Sequence, residues 1–217
     1  MDTIWEHLFR KQEWGKYPPE SVVRFVARTF YRASKRAEVR LLDAGCGPGA
    51  CTWFMAREGF QAFGIDGSPS AIKYAKERLR REGLKADLQV ADYTSLPWPD
   101  EFFDGAIDNV SFYANAVADW QRAVDQVHRV LKAGGAFFTS SFTTNTWGYN
   151  TGKEVEPGSF CDIPEGPLYE RGLSHFANED ELRNILRRFS HVEIERESRT
   201  VMNQSKLVEI WVAVARK

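Results

Sequence analysis

Short apolar runs alternate with amphipathic segments along the middle of the chain. The apolar runs predict buried strands at residues 39–45, 61–66, 86–92, 102–109 and 136–142. The amphipathic segments carry the period of helices and lie at residues 50–59, 68–83 and 116–135. Strands separated by helices of this length form βαβ units, so the pattern predicts a parallel sheet with helices on both faces.

Residue types mark where the helices begin and end. Ser68 is a predicted N-cap, Pro69 takes the first helical position, and Gly83 follows the last turn. The helix at residues 116–135 carries an apolar side and ends at a pair of glycines. These signals support the helical interpretation of both segments.

The two ends of the chain follow another pattern. Residues 2–12 are predicted to be helical, and Pro18 and Pro19 open a second helix that runs to about Arg36. A helix capped by Asn178 precedes two predicted strands, at residues 191–201 and 206–217, with no helix between them. We expect these two strands to pair antiparallel at an edge of the sheet.

Residues 143–174 have no clear period but contain glycine, proline, tryptophan and tyrosine. A long connection of this kind is a lid over a site or an incidental insertion, and its aromatic residues favour a lid. The predicted division of the single domain is an N-terminal helical cap (1–36), a cofactor-binding core (37–142), a lid-like insert (143–174), and a helix with the final strand pair (175–217).

Composition limits the kinds of partner. The chain has 217 residues, of which 43% are hydrophobic and 27% charged, with a formal net charge of −1. This balance is typical of a globular protein and gives no overall attraction to nucleic acid or an anionic membrane. The polar N-terminus does not have the pattern of a signal or transit peptide, and the three cysteines form no CxxC pair. We therefore expect a cytoplasmic protein with reduced thiols.

The stretch DAGCGPGA, residues 43–50, follows the first predicted strand. It lacks the lysine and hydroxyl residue of a phosphate-binding P-loop. Its glycines, Gly45, Gly47 and Gly49, differ from the GxGxxG of dinucleotide-binding proteins, but Ala50 stands at the last position, where that pattern tolerates alanine. The spacing of the glycines alone therefore leaves a nicotinamide cofactor possible.

Four aspartates end successive predicted strands: Asp43, Asp66, Asp92 and Asp108. Parallel strands present their carboxyl ends at one edge of the sheet, where ligands bind. A carboxylate beside the glycine turn disfavours a pyrophosphate and favours a ligand with an ammonium group. Acids at the later strand ends suit a ribose and the exocyclic amine of a base.

These features together resemble a known family. The stretches LLDAGCGPG, GIDGSPSAI, ADYTSLPWPDEFFDGAID and VHRVLKAGG are similar to successive motifs of the class I S-adenosylmethionine-dependent methyltransferases, closest to the type 11 group of small-molecule enzymes. The resemblance covers about residues 39–140. It implies an α/β fold with a Rossmann-like, mostly parallel sheet flanked by helices on both faces and a C-terminal antiparallel strand pair. It also implies S-adenosylmethionine as cofactor and methyl transfer to a small-molecule oxygen or nitrogen acceptor.

The resemblance assigns cofactor roles by position. Asp43 with Gly45 and Cys46 would hold the methionine amine, while Gly47 and Gly49 would let the cofactor approach. Asp66 would bind the ribose, with the remaining contacts to the adenine from Gly67, Ser68, Asp92 and Tyr93, and to the sulfonium end from Asp108 and Asn109. Trp14 and Tyr17 precede the core and either cover the sulfonium or pack as a hydrophobic staple for the second helix.

Candidates for catalysis are few. His175, near the end of the insert, is either a base or substrate contact or a buried structural histidine, and Tyr113 is expected to face the acceptor pocket. The spacing of histidines, cysteines and acids predicts no metal site. Two alternatives stay open: a nicotinamide-dependent oxidoreductase on a similar sheet, and a non-catalytic protein that binds S-adenosylmethionine.

Overall fold

The structure is a computed structural model that describes residues 3–12 and 14–217. Six α-helices are described within those residues: α1 Thr3–Lys11, α2 Glu20–Phe30, α3 Ala50–Arg57, α4 Pro69–Arg81, α5 Val117–Val130 and α6 Glu179–Ile185. The strands are β1 Arg40–Ala44, β2 Gln61–Asp66, β3 Asp87–Val90, β4 Phe103–Asn109, β5 Leu131–Phe142, β6 Lys153–Glu156, β7 Ser159–Cys161, β8 Ser174–His175, β9 His191–Val201 and β10 Lys206–Arg216. Two short 3-10 helices cover Arg36–Glu38 and Phe112–Ala114.

The main sheet has the strand order β3-β2-β1-β4-β5-β10-β9. Strands β1 to β5 run parallel, whereas β10 pairs antiparallel with both β5 and β9. The predicted Rossmann-like sheet with a C-terminal antiparallel pair is confirmed. Between β1 and β4 the order of the strands reverses direction, and such a switch point opens a crevice at the carboxyl ends of the strands.

Both faces of the sheet are buried, as the continuous apolar strands predict. Neighbouring residues of one strand enter different clusters: Leu42 and Phe137 pack in one with Trp120 of α5. Leu41 and Phe138 pack in the other, with side chains of α2, α3 and α4. Side chains of a strand alternate between its faces, so these two clusters lie on opposite sides of the sheet.

Two predicted helix ends were wrong. The second helix ends at Phe30 rather than near Arg36, because the chain turns after α2 into a separate 3-10 helix. The helix α5 ends at Val130, and its expected glycine stop lies inside β5. The Gly134 amide donates to the Lys217 carbonyl, and the Lys217 amide donates to the Gly135 carbonyl. These two hydrogen bonds hold both glycines in the strand.

Residues 143–174 contain regular structure that their sequence pattern does not show. Strands β6, β7 and β8, the last ending just beyond them, form a small antiparallel sheet. Residues of this small sheet and of the segments beside it form a third apolar cluster, which includes Phe142, Phe160, Leu168 and Phe176. Among the described helices, none has the length and apolar character needed to cross a membrane.

Candidate functional site

A cavity of about 360 Å³ opens where β1, β2 and β4 end. Its walls come from three parts of the chain: the N-terminal segment, the turns after these strands, and the insert. The residues that line it are Trp5, Phe9, Trp14, Gly15, Tyr17, Asp43, Gly45, Cys46, Gly47, Pro48, Ala50, Cys51, Asp66, Tyr93, Asn109, Val110, Ser111, Tyr113, Ala114, Phe142, Pro167, Leu168 and Arg171. A volume of this size suits a small molecule.

The glycine turn permits close approaches that a side chain would block. Gly45 has φ +77°, and a Cβ there would clash with Ser111 Oγ, so only a glycine lets the turn after β4 lie directly against it. Gly49 has φ +84° and precedes α3; a Cβ there would lie 2.8 Å from Ala75 Cβ, so this glycine serves the packing of α3 on α4. Gly49 is therefore placed outside the cavity lining, unlike Gly45 and Gly47.

Asp43 lies at the end of β1 and is 2% exposed. Its Oδ2 accepts hydrogen bonds from the Thr52 amide at 2.8 Å and the Thr52 hydroxyl at 2.7 Å. Within the described part of the chain its Oδ1 accepts none, and the residue lines the cavity. Burial raises the pKa of Asp43 to about 7. The two hydrogen bonds from Thr52 lower this pKa, and the nearby carboxyl of Asp66 raises it. A cation in the cavity would offset the cost of ionising this carboxyl.

Asp66 ends β2 and holds two backbone turns together. Its Oδ2 accepts from the Gly47 amide at 2.9 Å, and its Oδ1 accepts from the Ser68 amide at 2.8 Å. Burial raises the pKa of Asp66, and these backbone bonds oppose the rise. Each carboxylate oxygen has a further lone pair, so Asp66, which lines the cavity, can still accept from a ligand hydroxyl.

Asp108 and Asp92 lie outside the cavity lining, contrary to expectation. Asp108 is fully buried and shapes the turn after β4: Oδ1 accepts from the amides of Ser111 and Phe112, and Oδ2 accepts from Thr139 Oγ1 at 2.6 Å. Burial raises the pKa of Asp108 to about 7. Asp92 is exposed and accepts two bonds from Thr94. Both carboxylates hold local turns.

The remaining predicted cofactor contacts divide in the same way. Asn109 and Tyr93 line the cavity, and the Tyr93 hydroxyl accepts from Asn115 Nδ2 at 2.6 Å. Ser68 is buried at the start of α4, where its Oγ accepts from the Ala71 amide at 3.1 Å. Ser68 and its neighbour Gly67 stand outside the lining.

Aromatic residues of the N-terminal segment cover one side of the cavity. The rings of Phe9 and Trp14 lie 5.2 Å apart, and Trp5 lies 6.0 Å from each. Tyr17 borders the cavity while 72% exposed, with its ring 5.5 Å from that of Trp53. Trp5 and Phe9 were missed from the sequence, where their spacing showed only an amphipathic helix.

The two residues proposed for catalysis are placed very differently. Tyr113 lines the cavity beside Phe142, but burial raises its pKa, so the phenol keeps its proton and is not available as a base. His175 is fully buried outside the lining; its Nδ1 is 2.7 Å from Ser159 Oγ and its Nε2 is 2.9 Å from Glu181 Oε2. Both ring nitrogens are thus engaged in joining β7 to α6, which corrects the expectation of a base.

Arg171 is a lining residue that the sequence did not single out. It stands in the insert, within a stretch without period, where no pattern separates it from surface arginines. Its Cζ lies 4.9 Å from the centroid of the Trp14 ring. Within residues 3–12 and 14–217, no group of three or more His, Cys, Asp and Glu side chains could hold a metal ion.

The chemistry of the lining fits S-adenosylmethionine. The amides of Gly45 and Cys46 both donate to the Ile65 carbonyl, at 2.8 and 2.9 Å. The backbone groups that these two residues can offer a ligand are therefore their own carbonyl oxygens. Carbonyls beside Asp43 favour a cation over a phosphate. Aromatic faces nearby are also attractive to a sulfonium.

Comparison with known proteins agrees with the geometry. A family model described as a methyltransferase domain matches residues 41–135. A demethylmenaquinone methyltransferase of Thermus thermophilus is 28% identical over 122 residues, 55% of this chain and 54% of that protein. A ubiquinone/menaquinone biosynthesis C-methyltransferase of Pectobacterium carotovorum is 33% identical over 113 residues, 50% of this chain and 44% of that protein. The chain spans about half the length of these curated relatives.

A solved structure extends the similarity to most of the chain. The crystal structure of an S-adenosylmethionine-dependent methyltransferase from Methanosarcina mazei superposes with a TM-score of 0.69 and 26% identity. The match covers 82% of this chain and 92% of that one.

Proposed function

Because the chain belongs to the class I S-adenosylmethionine-dependent methyltransferases, we propose that it transfers a methyl group from this cofactor to an oxygen or nitrogen atom of a small molecule. The observation that carries the proposal is the cavity at the ends of β1, β2 and β4, with the buried Asp43 and Asp66 beside the glycine turn. Its volume of about 360 Å³ favours a small acceptor over a polymer.

The residues that line the cavity have distinct parts in this proposal. Asp43 and the carbonyl oxygens of Gly45 and Cys46 would hold the methionine ammonium. Asp66 would accept from the ribose hydroxyls. When bound, S-adenosylmethionine supplies a methyl group on a sulfonium, which is a leaving group already activated.

Positioning is the main contribution of the protein to such a reaction. Holding two reactants in line contributes about 7–11 kcal/mol to lowering a barrier. Asn109 and Tyr113 border the cavity where the turn after β4 begins, and Tyr113 as a neutral phenol can orient an acceptor by a hydrogen bond. An amine acceptor needs no base, and an oxygen acceptor that is already ionised needs none either.

The test is calorimetric titration with S-adenosylhomocysteine, S-adenosylmethionine and NAD. We expect both sulfur nucleosides to bind at micromolar concentrations and NAD not to bind; the reverse preference would overturn the proposal. Tyr17→Ala, at an exposed rim position, should weaken binding without unfolding the protein, whereas Asp180→Ala, at an exposed position on α6, should not.

Methyl transfer itself needs a second measurement. Methyl-labelled S-adenosylmethionine is incubated with the protein and, separately, with pooled amines, phenols and carboxylic acids, and with RNA. Label in the small-molecule pools supports the proposal. Label in RNA alone contradicts the acceptor class, and cofactor binding without transfer to any pool would indicate a non-catalytic binder.

A further inference from the structure

Within residues 3–12 and 14–217, two buried nitrogens in the wall of the cavity have no hydrogen-bond acceptor. They are Nη1 of Arg171 and Nε1 of Trp14. Both residues line the cavity, and the guanidinium lies 4.9 Å from the Trp14 ring. Buried N–H groups in folded proteins nearly always find an acceptor, so two neighbouring donors without one point to a group supplied by a ligand.

The charge of Arg171 also has no carboxylate partner among the residues that the structure describes. Across the described residues, no carboxylate lies within 4.0 Å of it, and it is the one basic side chain of the lining. An arginine cannot lose its proton in a protein, so a partly buried guanidinium favours an anion in contact with it. A planar oxyanion can accept two hydrogen bonds from one guanidinium.

We propose that Arg171 and Trp14 form the binding site for an anionic oxygen group, a carboxylate, of the methyl acceptor. The inference rests on the proposed function and adds the substrate class. Arg171 belongs to the insert and lines the same cavity as Tyr113, which lies beside Phe142. The residues expected to contact the ammonium and the ribose of the cofactor, Asp43 and Asp66, lie in a different part of the lining, at the ends of β1 and β2.

The rest of this wall is apolar, which restricts the acceptor further. Leu168, Pro167 and Phe142 line it together with Trp5. An acceptor that matches the wall has an apolar body and a single carboxylate. The carboxylate is the anchoring group, and Arg171 is a binding residue rather than an acid or base.

The experiment uses the full chain saturated with S-adenosylhomocysteine and matched pairs of probes: benzoate with benzamide, and hexanoate with hexanamide. Binding is measured by titration of the probe signals in NMR. For the wild type we expect each acid to bind about tenfold more tightly than its amide. Arg171→Gln should reduce that ratio to about one, and Arg171→Lys should keep part of it.

Arg81→Gln is the control, because it removes one positive charge from an exposed position on α4 outside the cavity lining. It should leave the wild-type ratio unchanged. Equal binding of acid and amide to the wild type, no binding of either, or a ratio that survives Arg171→Gln would overturn the inference.

Affinity for the cofactor product separates the remaining explanations. A tenfold loss of affinity for S-adenosylhomocysteine in Arg171→Gln would assign the arginine to the carboxylate of the cofactor and overturn the inference. Failure of S-adenosylhomocysteine to bind the wild type would instead contradict the proposed function.

Discussion

Replacing Asp43 by Asn should make the protein more stable above neutral pH while weakening cofactor binding. The carboxyl is 2% exposed, and Asn can keep the acceptor oxygen that receives both hydrogen bonds from Thr52. The substitution therefore removes the buried charge and retains the local contacts. It separates the cost of burying an acid from the use of that acid in binding.

The magnitude follows from the pKa of Asp43, which burial raises from 3.8 to about 7. Since the native state holds this proton more tightly than the unfolded chain, the group stabilises the fold fully below pH 3.8. That stability is lost as the pH rises towards 7. At about 1.4 kcal/mol per pKa unit, the loss between pH 5 and pH 8 is roughly 3 kcal/mol, and Asp43→Asn does not incur it.

Urea denaturation at pH 5 and pH 8 measures this difference. We expect the stability of Asp43→Asn relative to the wild type to rise by roughly 3 kcal/mol between pH 5 and pH 8. The control Asp180→Asn, at an exposed site, should follow the wild type at both pH values. Parallel pH dependence of wild type and Asp43→Asn would refute the reasoning, because it would mean that Asp43 releases its proton at the same pH in both states.

Three further outcomes are expected. Gly45→Ala should destabilise the fold by more than the ~1–2 kcal/mol of a left-handed alanine, and Ser111→Gly in the same chain should recover only the part caused by the clash, both measured in urea. His175→Gln should cost about 2–4 kcal/mol of stability but leave the turnover of the folded enzyme unchanged; a fall in turnover without loss of stability would restore a catalytic role. Binding of S-adenosylmethionine at pH 6 should release up to one proton, seen as a heat that depends on the buffer, and none at pH 8.5, because Asp43 is already ionised there.

Local signals in the sequence predicted the framework of the fold. Ser68 and Asn178 were expected to cap helices, and each side-chain oxygen accepts the amide three residues on. The absence of a helical segment between the last two strands predicted their antiparallel pairing. These features depend on neighbouring residues, so the sequence contains them. The end of α5 depends on a distant contact, that of Lys217 with Gly134 and Gly135, and the predicted end was wrong for that reason.

The site was predicted less completely because position along a strand does not give the direction of a side chain. Asp43 and Asp108 both stand at strand ends, yet one lines the cavity and the other has both oxygens engaged in the turn after β4. The direction depends on which backbone amides the following turn presents. Arg171 lies in a segment without period, and only the folded insert brings it to the cavity.

The charges of the lining give a physical reason to favour a cofactor with a cation over a dinucleotide. Asp43 and Asp66 are buried near each other, and each is costly to ionise without a positive partner. Arg171 forms no ion pair with either in the described structure, so the cavity does not neutralise itself. A pyrophosphate at the glycine turn would add a third negative charge there and raise the cost of ionising Asp43. A cation at the ends of β1 and β2 would stabilise the ionised carboxylates there, and an anion at the insert would stabilise Arg171. An ammonium-bearing cofactor and an acidic acceptor together provide this combination.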